Sequence, residues 1–87
     1  MKTFELKISS PDGDLFSGEA VNLSLRGTLG DLAVMAGHTP LMTAVKAGEF
    51  RVTLPDDTER VGKTTGGLLT VSKERTTFLS DGLTWTE

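Results

Sequence analysis

Apolar and polar residues alternate over most of the chain, the period of two expected when a strand buries one face and solvates the other. From Thr3 to Ser9, Phe4, Leu6 and Ile8 fall on one side while Glu5 and Lys7 fall on the other. Ala20 to Arg26 repeats this, with Val21, Leu23 and Leu25 inward and Asn22, Ser24 and Arg26 outward; Phe50, Val52 and Leu54 do the same between Glu49 and Pro55. Shorter segments of similar character are Asp14–Phe16, Leu32–Met35, Leu41–Lys46, Glu59–Lys63, Leu68–Ser72 and Thr76–Leu79. Their borders are turn formers: Pro11-Asp12-Gly13, Gly27 to Gly30, Gly37 to Pro40, Ala47-Gly48, Pro55-Asp56-Asp57, Gly66-Gly67 and Lys73-Glu74. They recur at roughly 8–12 residues, the spacing of sandwich and barrel strands.

Helical periodicity is confined to a loose 3–4 spacing over Leu29–Val45, which Gly30, Gly37 and Pro40 interrupt. A helix there would carry several breakers, the proline alone costing ~3 kcal/mol. Thirteen threonines add β-branched side chains suited to a half-exposed pleated surface. The expected fold is all-β: a small flattened β-sandwich of short, mostly antiparallel strands, forming one domain over residues 1–87 without linker, repeat or low-complexity tract.

Composition narrows the function. With 87 residues and 37% hydrophobic content, the chain has enough apolar side chains for one modest core and no room for a two-domain enzyme. Nine basic against twelve acidic residues leave a net charge of −3, a poor match to a phosphate backbone, so no nucleic acid partner is expected. Cysteine is absent, which excludes a disulfide framework, a thiolate zinc site and a cysteine nucleophile. The single histidine cannot build a His-rich metal cluster within one chain. No apolar run approaches the ~18–20 residues of a membrane span, so direct insertion is not expected. Met1 to Leu6 reaches alternating, charged sequence at once, unlike a signal or transit peptide, and reads as the start of a cytosolic product.

The candidate motifs are fragmentary. Asp57 to Thr64 ends in Gly62-Lys63-Thr64 like a phosphate-binding loop, but Asp57 stands where that loop needs glycine and Thr65-Gly66-Gly67 follows where it needs a helix. His38 sits between Gly37 and Thr39-Pro40; Asp31 with Ser24 or Thr39 could complete a nucleophilic arrangement, yet no spacing selects it. Lys46 in Val45-Lys46-Ala47-Gly48 has the context of a hairpin lysine of a carrier domain without the flanking Met or Asp. Asn22-Leu23-Ser24 matches a glycosylation sequon but follows no secretory signal. Asp12/Asp14 and Asp56/Asp57 lack the later Glu of a calcium loop. The residues alone thus imply a binding or structural module with no cofactor, and an independent small binding or carrier domain is the alternative function.

Several segments, taken in order, resemble the epsilon-subunit family of bacterial F-type ATP synthases, in its N-terminal β-sandwich domain. Leu15-Phe16-Ser17-Gly18-Glu19 is similar to that family's early turn, and Gly66 to Val71 and Phe78-Leu79-Ser80-Asp81 to its later strands. Gly30 to Gly48, containing Asp31, Gly37-His38-Thr39-Pro40-Leu41-Met42-Thr43 and Lys46, is similar to its longest signature. Ala33, Ala36 and Ala47 depart from it, standing where the family usually has Gly, Pro and Pro. Members commonly continue into a C-terminal helical hairpin, whereas this sequence ends at Gly82-Leu83-Thr84-Trp85-Thr86-Glu87 with no helix start.

The resemblance implies a non-catalytic rotor part of the central stalk, linking the gamma subunit to the polar loops of the membrane c-ring on the cytoplasmic side of a bacterial membrane. It implies Asp31, Gly30 and His38 at the c-ring, and Ser10, His38, Pro40, Leu41 and Met42 toward gamma. Inhibition of ATP hydrolysis through the hairpin is not expected.

Overall fold

A computed structural model describes residues 2–27, 30–37 and 39–86. The alternating segments fold into β1 (Phe4–Ser10), β2 (Gly13–Ala20), β3 (Asn22–Gly27), β4 (Gly30–Met35), β5 (Leu41–Val45), β6 (Gly48–Thr53), β7 (Glu59–Thr64), β8 (Gly67–Val71), β9 (Thr76–Ser80) and β10 (Leu83–Trp85). They join in one curled 10-stranded sheet, ordered β10-β7-β6-β3-β5-β8-β9-β1-β2, with β4 on β3. Every pairing is antiparallel except β1 with β9. The curl turns on β3, which pairs with β6 through Asn22–Ser24 and then with β5 at Gly27↔Val45. The β10-β7-β6-β3-β4 half thereby folds over the β5-β8-β9-β1-β2 half, giving the sandwich that the alternation implies.

The inward set of each strand forms the core. Leu6 and Ile8 of β1, Leu23 of β3, Val34 of β4, Phe50 and Val52 of β6, Leu69 of β8 and Phe78 of β9 are all fully buried. Each contributes about 1.5–3 kcal/mol of transfer free energy relative to exposure. Phe50 meets Phe78 edge-to-face with centroids 6.1 Å apart, and Trp85 in a tilted contact at 5.2 Å. Gly62 makes room for this stack: a Cβ there would lie 2.7 Å from two Phe50 ring atoms. Gly62-Lys63-Thr64 is therefore part of β7, and the chain passes through Thr65 and Gly66 into β8 without a helix.

Some boundaries differ from the sequence pattern. Leu15–Glu19, similar to a family turn, is strand, because Ser17, Gly18 and Glu19 pair with Lys7, Leu6 and Glu5 of β1. The strand β10 lies beyond the last alternating segment; it is held by β7, through Leu83↔Thr64, Thr84↔Lys63 and Trp85↔Gly62. Leu41, Leu54 and Val21 are half-buried, not core.

Candidate interaction faces

Register places the turns at two ends. The β1–β2, β5–β6, β7–β8 and β9–β10 turns share one end with the Gly27↔Gly30 closure of β3 and β4. At the opposite end lie Ala36-Gly37, Thr39-Pro40, Leu54–Thr58 and Ser72–Arg75.

This geometry separates the sequence candidates. Gly30, at φ +130°, and Asp31 lie exposed at the first end, where Arg26 Nε donates to Asp31 Oδ1 at 3.4 Å. Ser10 is at that end too, but its hydroxyl serves the β1–β2 turn, accepting from the Asp12 amide at 3.2 Å and donating to the Gly13 carbonyl at 3.5 Å. Pro40, Leu41 and Met42 lie at the opposite end. Leu41 packs against the core, whereas Met42 points outward and is 68% exposed. His38 lies outside the described residues; its neighbours Gly37 and Thr39 are at the end away from Asp31. A nucleophilic arrangement drawing on Asp31 and Thr39 is not brought together. Ser24, the other nucleophile considered, is on β3 and accepts from Asn22 Nδ2 at 2.8 Å.

The two outer faces differ in chemistry. Over β3, β4, β6 and β7 the outward side chains are mixed: Arg26 pairs with Asp31 and Arg51 with Glu49 at 3.4 Å and Glu59 at 3.8 Å, while Asn22, Ser24 and Ala33 are uncharged and Met35, at the far end of β4, is 57% exposed. Such exposed pairs contribute about 0–1 kcal/mol each and chiefly keep that face solvated. Over β5, β8 and β9 the centre is apolar. Ala44, Leu68 and Leu79 stand in one cross-strand row, through Ala44↔Leu68 and Leu68↔Leu79, with Met42 one outward position along β5. Leu79 is 50% exposed and Leu68 37%. A single exposed leucine is ordinary, whereas a contiguous row of exposed apolar side chains marks a surface that another molecule covers.

Sequence reasoning singled out Met42 but not Leu68, Leu79 or Ala44. The available signal was parity. In β9, Thr76, Phe78 and Ser80 face inward, which forces Leu79 outward; in β8, Leu69 and Val71 face inward, which forces Leu68 outward. Among the described residues no group of three or more His, Cys, Asp or Glu could hold a metal ion, and no helix is long and apolar enough to cross a membrane.

A small sandwich with a row of exposed apolar side chains across three strands belongs to the class of β domains suited to presenting a surface to another protein. Within that class, the chain belongs to the ATP synthase delta/epsilon chain β-sandwich domain family, whose model matches residues 3–86. It is 37% identical over 86 residues to the sodium ion specific ATP synthase epsilon chain of Acetobacterium woodii, covering 99% of this chain and 65% of that protein. It is 41% identical over 81 residues to the ATP synthase epsilon chain of Psychrobacter cryohalolentis, covering 93% and 59%. The chain thus spans less than two thirds of the length of these relatives. Its fold matches a chain of the Euglena gracilis mitochondrial ATP synthase OSCP/F1/c-ring structure at TM-score 0.90 and 15% identity, covering 95% of this chain and 53% of that one. A chain of the Tetrahymena thermophila mitochondrial ATP synthase central stalk and c-ring structure matches at TM-score 0.79 and 10% identity, covering 95% and 66%.

Proposed function

We propose that this chain is a non-catalytic central-stalk subunit of an F-type ATP synthase, linking the gamma subunit to the c-ring so that stalk and ring turn together during ion-coupled ATP synthesis. The observation that carries the reading is the exposed Ala44–Leu68–Leu79 row with Met42 beside it, on a sandwich of the delta/epsilon family. In this reading the apolar row is the gamma-facing surface, with Met42 and Pro40 at one end of it. The exposed Gly30-Asp31 tip of the β3–β4 closure, and not the whole of the first end, faces the polar loops of the c-ring. The chain then works on the cytoplasmic side of the membrane, held there by other proteins.

A rotor coupling part has to transmit torque without deforming, and the fold suits that demand. The fully buried core and the continuous ladder of pairings, in which β3 joins the two halves through β6 and β5, leave few ways to shear one half against the other. Substitution of the row tests the reading. Leu79→Glu puts a charge at the most exposed leucine of the apolar row, at a half-exposed position, so the fold is expected to persist while binding to the isolated gamma subunit falls at least about tenfold. Unchanged gamma binding by a folded Leu79→Glu chain contradicts the assignment of this face.

A further inference from the structure

We propose that the notch between the Lys46-Ala47 and Asp81-Gly82 turns receives one apolar side chain of the stalk partner, with Lys46 and Asp81 engaging an acid and a base on either side of it. This rests on the reading that the row ending at Leu79 docks the gamma subunit.

The floor of the notch is the backbone of Gly66 and Gly67, and neither position has room for a side chain. Gly66 has φ +120°, and a Cβ there would stand 3.0 Å from the Val45 carbonyl oxygen; a Cβ at Gly67 would run into the Leu79 carbonyl. Leu68 and Leu79 form the apolar wall, continuous with the row described above. The two charged turns are fixed in place by main-chain hydrogen bonds, the Lys46 amide to the Arg26 carbonyl and the Asp81 amide to the Gly66 carbonyl, each at 2.8 Å. Both side chains are exposed, and neither enters an ion pair among the described residues.

One charge of each sign beside an apolar row selects the occupant. A wholly apolar segment would leave both charges unanswered, and a segment of one sign would be repelled by one of them. An amphipathic segment with an apolar side chain between an acid and a base satisfies every wall, and in only one orientation. The pair therefore sets the direction in which the partner lies on the sandwich.

The test is the affinity of the chain for the isolated gamma subunit at low and high salt. Lys46→Glu and Asp81→Lys are each expected to weaken binding about tenfold at low salt, with thermal stability unchanged. The swapped pair K46D/D81K keeps the net charge and is expected to bind no better than either single variant. Wild-type affinity in either single variant, or in the swapped pair, overturns the notch. The failures are separable: loss of binding in Leu79→Glu without loss in the charge variants removes the notch alone, whereas full binding by Leu79→Glu removes the docking face itself. Self-association of the chain that Lys46→Glu abolishes, without any effect on gamma binding, also counts against the proposal.

Discussion

The hydroxyls of Thr64 and Ser80 meet at 2.7 Å in the interior, joining the end of β7 to the end of β9. Both residues are buried, and each also serves its own turn: Thr64 Oγ1 accepts from the Gly66 amide at 3.0 Å, and Ser80 Oγ donates to the Gly82 carbonyl at 2.8 Å. Two of the three buried polar side chains thus hold two turns of the end that carries Asp31 and the notch. Ser80→Ala removes the bond between the two hydroxyls and one of the bonds to the Gly82 carbonyl, which keeps the Thr65 amide at 2.9 Å, and is expected to cost about 0.5–1.5 kcal/mol in urea unfolding. An effect under about 0.5 kcal/mol removes the latch.

Gly67 permits the close approach of β8 to β9. Gly67→Ala is expected to destabilise by about 3 kcal/mol or to prevent folding, because the atom in the way is main chain and cannot swing aside. Gly18→Ala is the control: its Cβ would meet only the Phe16 ring at 3.9 Å, and its stability is expected to stay within about 0.5 kcal/mol of wild type. Equal stability of the two variants in thermal or urea unfolding contradicts this account of the β8–β9 approach.

The contrast between these glycines shows what a sequence carries. Phe4, Leu6 and Ile8, or Phe50 and Val52, declare strand and inward face through alternation alone, and the core contains them all except half-buried Phe4. The parallel β1–β9 pairing and the strand β10 are not legible, since both depend on partners distant along the chain and Leu83–Trp85 is too short to show a period. The candidate face was legible in part. Met42 was singled out through family resemblance, whereas Leu68 next to Leu69 looks like ordinary core until the register assigns one inward and one outward. Asp31 and the residues flanking His38 are close in sequence but lie at opposite ends, a separation set by the course of β4 from Gly30 to Met35.

Asp56 gives the turn between β6 and β7 a pH dependence. Hydrogen bonding from Thr58, including its amide at 3.0 Å, holds the Asp56 carboxyl below its ordinary value of 3.8. A folded-state value lower than the unfolded one means stabilisation that is present above that ordinary value and lost as pH falls through the folded value. The difference in melting temperature between wild type and Asp56→Ala is therefore expected to shrink as pH is lowered from about 5 toward 2. Asp56→Asn, whose amide oxygen accepts the same bond without titrating, is expected to keep its advantage over Ala across the range. A wild-type advantage over Ala that grows on acidification contradicts the assignment.

Among the described residues Asp31 is held by an exposed contact with Arg26, with side-chain exposures of 85% and 63%. Asp31→Asn is expected to change stability by less than about 0.5 kcal/mol. Asp31→Arg, which presents the opposite charge at the same tip, is expected to leave the circular dichroism spectrum intact and to weaken docking to the c-ring. Unchanged rotor assembly and unchanged ion-coupled activity in that variant take Asp31 out of the contact.

The central claim is that this sandwich is a stalk part that joins gamma to the c-ring. Capture of the chain from detergent-solubilised native membranes, with mass spectrometry of what comes with it, tests that claim most directly. Gamma and c subunits are expected together in the wild-type eluate, and both are expected to be depleted with Leu79→Glu. A captured chain that brings down neither subunit, or that carries a covalent biotin or lipoyl group on Lys46, contradicts it.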